Sequence, residues 1–462
     1  MSFVEVDRLA LDISTYLHAQ RKEIIPDVGE VGNILTVFFH DLIVHFSGIL
    51  IHRQAEKNYE SEIRPPWVNR KYALSPYHYA ADAFTKNSQS INNAIRALSI
   101  VPLTLGDSIP YGYKQKRFLS KAIKILAKHE KYALAYLPKR DKQIRFLKEV
   151  IVELCRTLEI PGKDIVVDNW LRYVEHHTCT TLPVTRSRGL LIGSRNNLHG
   201  RKLAVNFLQQ DKKVIAMTHG EISNSIYNEP VFGYSEKTLC TELVDYGEFN
   251  QENSLAVSLI MPETTLRRSS GVIAKHYRPS DEIKGPPMGK AKVLYIPTMH
   301  QTNYLWGPFH AYEDSVYDRW QSALVENIQK LTIKIHPKTR ANRQYQCGTE
   351  IRRLDDCITD YDILIIDYFA TGAALAIFSD KPVIYIDIGL RKLNPDFDAA
   401  LRKRCMCGAV DLTEPLSEQI VSIVEKFNTD ADRSNIGLEK FALCSSESGG
   451  MGSLLKRLLI ER

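Results

Sequence analysis

Four consecutive apolar residues, Ile363-Leu364-Ile365-Ile366, run straight into Asp367-Tyr368-Phe369-Ala370-Thr371-Gly372 and constrain this chain more than any other stretch. An unbroken apolar run that stops at polar and small residues fits a strand buried on both faces, as in parallel sheets covered by helices. Ala373 to Phe378 then predicts a helix, and Pro382-Val383-Ile384-Tyr385-Ile386 the next strand. Upstream, Leu331 to Ile335 alternates apolar and polar residues and ends at His336-Pro337-Lys338. In open α/β sheets ligands sit at the carboxyl ends of strands, where loops meet helix N-termini. Free backbone N–H groups and the helix dipole favour an anion there. These ends carry His336, Lys338, Thr371 and Gly372, which predicts a phosphate site of the kind a nucleotide occupies.

The chain has 462 residues, enough for two or three domains. The alternation of helix and strand becomes regular from Gln143. Gln143 to Leu158 reads as a helix, Asp164 to Val167 as a strand, Gly189 to Gly193 as a strand and Arg201 to Gln209 as a helix. Lys213 to Met217 reads as a strand that ends at Thr218-His219-Gly220-Glu221. The segment Arg278 to Lys290, polar and rich in Pro and Gly, reads as a linker. A second strand-and-helix series opens after it with Lys292 to Thr298, followed by a helix over Tyr312 to Lys330. The predicted domains are residues 1–285 and 286–462.

The N-terminal part is predicted to be helical, with Val4 to His18, Val31 to His52 and Tyr77 to Leu98 as candidate helices. The apolar window Val31 to Ile51 includes Asn33, His40, Asp41, His45 and Ser47, whereas a membrane-spanning helix needs roughly 20 mostly apolar residues. It reads as a buried or partner-facing helix. No basic region precedes an apolar core at the N-terminus, so no signal peptide is predicted. Lys114 to Lys148 holds 12 Lys or Arg against Glu130 and Asp141, with Lys121, Lys124, Lys128 and Lys131 on one helical face. This basic amphipathic segment is a solvated face or a contact for an anionic membrane surface.

The net charge of +6 is mild for this length and does not point to nucleic acid. Eight cysteines lack a CxxC pair, and Cys405 and Cys407 have no histidine cluster beside them, so free thiols and no structural zinc are expected. No P-loop, HExxH or GxSxG occurs, and Asp396-Phe397-Asp398 matches the metal-binding DxD pattern only in form. No metal and no cofactor are predicted. Glu175-His176-His177 reads as a surface cluster.

Ile335-His336-Pro337 resembles the His-Pro motif of bacterial sialyltransferases and CDP-glycerol phosphotransferases. Asp367 to Gly372, followed by Asp380-Lys381-Pro382-Val383-Ile384, is similar to their D-Y-S-S … K-P-V/M segment and to the serine motif of Kdo (3-deoxy-octulosonate) transferases. Ala370-Thr371 stands where those enzymes carry a Ser pair, one hydroxyl fewer. Thr218-His219-Gly220 resembles the H-G at the end of a strand in their first domain. The likeness covers roughly residues 187–390. It implies an α/β fold of two Rossmann-like domains in GT-B arrangement with a helical N-terminal extension. It implies also a donor phosphate held by His336 and Thr371, with Pro337, Lys338, Gly372 and Thr298 completing that site.

Sugar transfer needs a base on the acceptor hydroxyl or a carboxylate nucleophile. Glu221 suits either role, His219 suits the base, and Asp168, beyond the strand expected at Ile165 to Val167, is the rival carboxylate. The expected function is transfer of Kdo from CMP-Kdo to a glycan or lipid-linked bacterial surface acceptor, at the inner face of the cytoplasmic membrane. The partners implied are a cytidine nucleotide sugar, that acceptor and an anionic membrane surface, without nucleic acid. The alternatives are a CDP-glycerol or CDP-ribitol polyol-phosphate transferase and a non-catalytic nucleotide-sugar-binding subunit.

Overall fold

The computed structural model describes residues 12, 37–38, 41–42, 46, 80–81, 137–138, 141–160, 163–179, 189–192, 198–218, 225, 236–247, 265–270, 280, 282–297, 314–335, 345–369, 371–389, 392–429 and 433–442. The first part contains strands β1 (Ala80–Ala81) and β2 (Leu137–Pro138), helices α1 (Asp141–Thr157) and α2 (Lys163–His177), and strands β3 (Thr178–Cys179) and β4 (Gly189–Ile192). Helix α3 (Leu198–Leu208) and strands β5 (Lys213–Met217), β6 (Glu242–Tyr246) and β7 (Leu266–Ser270) follow. Strands β1-β4-β5-β6-β7 form one parallel sheet in that order.

The second part begins with β8 (Val293–Ile296), α4 (Asp314–Asn327), β9 (Leu331–Lys334), β10 (Gly348–Glu350), α5 (Leu354–Cys357) and β11 (Ile363–Ile366). It ends with α6 (Thr371–Ile377), β12 (Val383–Asp387), α7 (Pro395–Arg404), β13 (Met406–Ala409), α8 (Leu416–Thr429) and α9 (Glu439–Ala442). Its sheet runs β10-β9-β8-β11-β12-β13, all parallel. Counted from β8, that is the Rossmann order 3-2-1-4-5-6, with the reversal between β8 and β11.

This second sheet is covered on both faces, as its continuous apolar strands require. Val293, Tyr295, Ile363 and Ile365 point at Tyr317, Trp320 and Leu324 of α4 and at Ile420 and Ile423 of α8. Their neighbours Leu294, Ile296, Leu364 and Ile366 point at Ala373 and Ile377 of α6 and at Phe397 and Leu401 of α7. The alternation of side chains along a strand produces two cores from one four-residue run. Buried Arg404 joins the second core's helices, donating to the carbonyls of Ile377 (2.6 Å), Ser379 (3.0 Å) and Lys381 (2.7 Å). That bond fixes the turn that carries Lys381-Pro382 into β12.

In the first part, α1, α2 and α3 pack into one core with the described residues of the N-terminal segment, where Val37, Phe38, Leu42 and Phe46 are buried. These described residues, with Asp41, are helical and buried, in keeping with the helix expected at Val31 to His52; the other residues of that stretch lie outside the described ones. Asp41 on the same segment pairs with fully buried Arg201 of α3 and accepts from the Tyr173 hydroxyl (3.1 Å), while Arg201 also donates to the Val37 carbonyl (2.8 Å). Among the described residues no helix is long and apolar enough to cross a membrane.

The two parts touch at the carboxyl side of their strands. The Asn394 N–H, beyond β12, donates to the Ser225 carbonyl, beyond β5, at 2.8 Å. Gly247 directly follows β6, and a Cβ built on it would lie 2.2 Å from the Phe441 carbonyl carbon in α9. Its φ of +70° independently favours glycine. Of the predicted linker, Met288–Lys290 forms a 3-10 helix, and the described residues ahead of it are stitched to the chain beyond α8. Ile283 N–H donates to the Arg433 carbonyl (2.6 Å), and Ser280 N–H to the Asn435 side chain (2.8 Å). The architecture is thus α/β with two Rossmann-like parallel sheets, carboxyl ends facing, as the GT-B resemblance implied.

Several elements differ from the sequence expectation. The strand expected at Asp164 to Val167 is the first turn of α2: Val166, Val167, Trp170, Tyr173, Val174 and His177 are buried at helical spacing, and the β-branched run is overridden by that stripe. Ala80 and Ala81, placed in the helix Tyr77 to Leu98, instead pair with Leu190 and Leu191. Leu137-Pro138 is a strand, so a single helix does not run through the basic segment to Lys148; the segment from Lys114 to Tyr136 lies outside the described residues. The sequence pattern does not predict strands β3, β6, β7, β10 and β13.

Candidate functional site

Strand-order reversal opens a crevice at the carboxyl ends of β8 and β11, because the connections leaving these neighbours run to opposite sides of the sheet. The chain delivers Ile296 and Pro297 there from β8, and Asp367, Tyr368 and Phe369 from β11. Beside β8, β9 ends at Lys334 and Ile335, immediately before His336-Pro337-Lys338. His336, Pro337, Lys338 and Thr298 themselves lie outside the described residues.

Asp367 is the structural centre of this crest. It is 2 % exposed, and one carboxylate oxygen accepts from the Tyr295 hydroxyl and from the Trp320 indole N–H at 3.1 Å. Burial, and then the neighbouring Asp367 charge, raise the Tyr295 hydroxyl well above the ordinary tyrosine range, so it remains a donor. A buried carboxylate is tolerated because it is hydrogen-bonded. The bonds tie β8, β11 and α4 together under the crevice. Asp367 therefore anchors the loop that Thr371 and Gly372 end.

Thr371 and Gly372 are the first two residues of α6. A Cβ on Gly372 would lie 3.0 Å from Ile296 Cγ2, tighter than ordinary contact. Glycine here lets the start of α6 sit against the carboxyl end of β8, which closes the floor of the crevice. Lys334 is 9 % exposed, and its ammonium donates to the carbonyls of Ile335 (3.0 Å) and Glu350 (3.4 Å). Burial lowers its pKa. A lysine so placed caps the ends of β9 and β10 just ahead of His336. At the end of β12, Asp387 accepts from the Gly389 N–H at 2.9 Å, and burial raises its carboxyl pKa.

The predicted catalytic residues divide. His219 and Glu221 lie outside the described residues, but Thr218, the residue before them, is the last described position of that strand end. Its hydroxyl donates to Asp245 Oδ1 at 2.8 Å, and Lys237 Nζ lies 3.7 Å from Asp245 Oδ2. Asp168 is corrected: it is exposed on α2, and the strand end that recommended it does not exist. His177, read as surface, is also corrected. It is 4 % exposed, 3.1 Å from the Lys202 ammonium and edge-on to Tyr173. Burial, and secondarily Lys202, lower its pKa to about 3.

The DxD-like residues form the first turn of α7. Asn394 caps the helix through the Asp396 N–H (3.0 Å), Phe397 is core, and Asp398 accepts from Arg402 at 2.9 Å. Among the described residues no group of three side chains is arranged to hold a metal. Sequence reasoning missed Asp245 and Lys237. The only signal was Glu242-Leu243-Val244-Asp245-Tyr246, whose charged positions look solvent-facing until the strand is known to lie inside a parallel sheet.

No protein-family model matches the sequence, and no curated protein matches it. Solved structures similar to the chain include the spinosyn rhamnosyltransferase SpnG, at 14 % identity over 69 % of this chain and 82 % of that one, with a TM-score of 0.32. The glycosyltransferase SnogD from Streptomyces nogalater is 10 % identical over 76 % of this chain and 93 % of that one, with a TM-score of 0.31. A UDP-glucosyltransferase from Polygonum tinctorium is 10 % identical over 84 % of this chain and all 100 % of that one, with a TM-score of 0.36. At these values no residue role and no activity is transferred from them.

Proposed function

We propose that the chain is a glycosyltransferase that binds a nucleotide sugar at the carboxyl ends of β8, β9 and β11 and passes its sugar to an acceptor held by the first domain. One observation supports this: the reversal between β8 and β11 opens next to the described end of β9 at Ile335 and the start of α6 at Thr371, on the side that meets the first part. Residues 286–462 take the nucleotide in this scheme, and residues 1–285 the acceptor.

The donor proposed first is CMP-Kdo and the acceptor a lipid-linked bacterial surface glycan. His336 and Lys338 donate charge-assisted bonds to the phosphate, the strong kind, and Thr371, Gly372 and Thr298 line the rest of that site. In the transfer the bond from the anomeric carbon to the phosphate oxygen breaks, and the acceptor hydroxyl oxygen bonds to that carbon. His219 or Glu221 takes the hydroxyl proton, and CMP leaves with the bonding pair. The basic segment Lys114 to Lys148 holds the protein to anionic lipid at the inner membrane face, an attraction that salt weakens.

A thermal-shift titration of wild type and His336→Ala with CMP, CDP, UDP and GDP tests the donor assignment. A ligand that binds only the folded protein stabilises it by about 2.7 kcal/mol at one hundred times Kd. Selective stabilisation by CMP, lost in His336→Ala, is the expected result. A preference for CDP moves the assignment to a polyol-phosphate transferase. Preference for UDP or GDP removes the cytidine assignment.

A further inference from the structure

The amino ends of the second sheet carry an open groove of about 480 Å³, at the opposite end of the strands from the crevice proposed for the donor. Lys292 immediately precedes β8 and Lys330 immediately precedes β9, and both line the groove. Val293 pairs with Leu331, so the two lysines occupy neighbouring positions at the strand starts. Thr332, two residues on from Lys330, shares its side of the sheet, and Gly348 of β10 pairs with it. Asp360 and Tyr361, ahead of β11, complete the lining.

Like charges side by side on adjacent strands repel. Neither ammonium has a carboxylate partner among the described residues. The nearest carboxylates are engaged by other groups: Asp360 accepts from Arg352 Nη2 at 2.9 Å, and Asp362 from the Lys292 N–H at 2.8 Å. Lys330 stands at a φ of +54°, a backbone position that glycine takes at least cost. The chain places a lysine there, next to a second lysine, at the mouth of a cavity. Gly348 keeps that mouth open, since a Cβ on it would lie 3.1 Å from Thr332 Oγ1.

We propose that this groove is a second binding site, separate from the donor crest, for a sugar phosphate. Lys292 and Lys330 take the phosphate through charge-assisted hydrogen bonds, and its charge relieves their repulsion. Asp360 would repel a bare anion, but Arg352 occupies only part of its acceptor capacity, so it accepts from sugar hydroxyls. The Thr332 hydroxyl stands beside it as donor or acceptor. The Tyr361 hydroxyl donates to Glu350 Oε2 at 3.3 Å and keeps a lone pair for a further donor. A ligand with an anion at one end and hydroxyls at the other satisfies both halves of the lining. The volume lies within the range of about 300–1,000 Å³ usual for small-molecule sites. Leu331 contributes little apolar surface, being 4 % exposed, so an apolar ligand finds few contacts. The phosphate ester is that of a free sugar phosphate or of an inositol lipid headgroup, which share this chemistry.

The test follows acetylation of single lysines in the full-length protein by mass spectrometry, with exposed Lys142 of α1 as the reference. Glucose 6-phosphate at about ten times its Kd should slow labelling of Lys292 and Lys330 about tenfold and leave Lys142 unchanged. The protection should persist in His336→Ala, which separates the groove from the donor crest whether or not the transferase proposal holds. Gly348→Leu keeps both lysines and fills the space beside Thr332, so protection should be lost. Lys292→Gln, read at Lys330, should require a higher concentration for the same protection, and it decides alone should Gly348→Leu not fold. Vesicles of phosphatidylinositol distinguish the two sources: protection by the soluble ester assigns a free sugar phosphate, and protection by vesicles alone assigns the lipid headgroup. Absence of protection by both overturns the proposal. Equal protection by inorganic phosphate, or equal slowing at Lys142, shows a bare charge effect and overturns it as well.

Discussion

The two sheets are built on the same parallel principle and differ in one respect of order. The described strands of the first add in a single direction, β1-β4-β5-β6-β7, whereas the second reverses between β8 and β11. A sheet that reverses opens a crevice by its topology alone. The two parts also differ in the buried polar groups singled out above. The first part contains charge pairs, Asp41 with Arg201 and Asp245 with Lys237. At the crest of the second, Asp367 is held by the neutral donors Tyr295 and Trp320.

The comparison breaks most readily at Arg201. Replacing it with Met strands Asp41 as an uncompensated buried charge, which costs about 3–5 kcal/mol. Hydrogen exchange read by mass spectrometry should then show β4, β5 and β6 losing protection while β8, β11 and β12 keep theirs. Equal loss in both sheets would mean that they unfold as one unit and that the two parts do not differ in stability.

Gly247→Ala attacks the junction. The new methyl meets the Phe441 backbone, which cannot rotate away, at a φ of +70°. Overpacking of this kind costs about 1–3 kcal/mol, and α9 together with the 433–442 segment should lose exchange protection first. Tyr295→Phe probes the neutral anchor instead. It removes one of the hydrogen bonds to Asp367, and a hydrogen bond to a charged group is worth about 1.5–3 kcal/mol. The loss should fall near the lower figure because the Trp320 N–H remains, and under the proposed donor assignment the variant should bind CMP less tightly. Full nucleotide affinity in this variant would detach Asp367 from the proposed donor site.

Much of the second part was legible because its strands are buried on both faces, and buried strands announce themselves as apolar runs. Ile363 to Ile366, Val383 to Asp387 and Val293 to Ile296 are all of that kind. The same rule misread Asp164 to Val167, where β-branched residues serve one face of α2 and Ile165 is 59 % exposed. Short strands such as Gly348–Glu350 and Met406–Ala409 carry too little apolar pattern to register. The crest of the second sheet was legible in outline, because the runs ending at Ile335 and Ile366 mark two of its strand ends. The Thr218–Asp245–Lys237 network was not, because its members are charged or polar and distant in sequence, and only the pairing of β5 with β6 brings them together.

Acid separates the two parts most gently. His177 has a folded pKa of about 3 against an ordinary 6.5, lowered by burial and then by Lys202. Between those values the unfolded chain binds a proton that the folded chain refuses, so stability rises with pH across that window and is lost as pH falls from 6.5 toward 3. Glu350 has a folded pKa of about 2 against an ordinary 4.5, held down by Arg352, which donates through Nη2 at 2.5 Å and through its backbone N–H at 2.8 Å. Its contribution is present above 4.5 and lost only as pH falls through about 2. At pH 5.5 the first sheet should therefore show faster exchange, corrected for intrinsic rate, while β9 and β10 do not change. His177→Gln, which retains an acceptor for Lys202, should abolish that early loss. Arg352→Gln should leave the first sheet as it was and bring the Glu350 window upward toward 4.5. If both sheets weaken in the same window in wild type, the early loss does not come from His177, and the imidazole is not held neutral against Lys202.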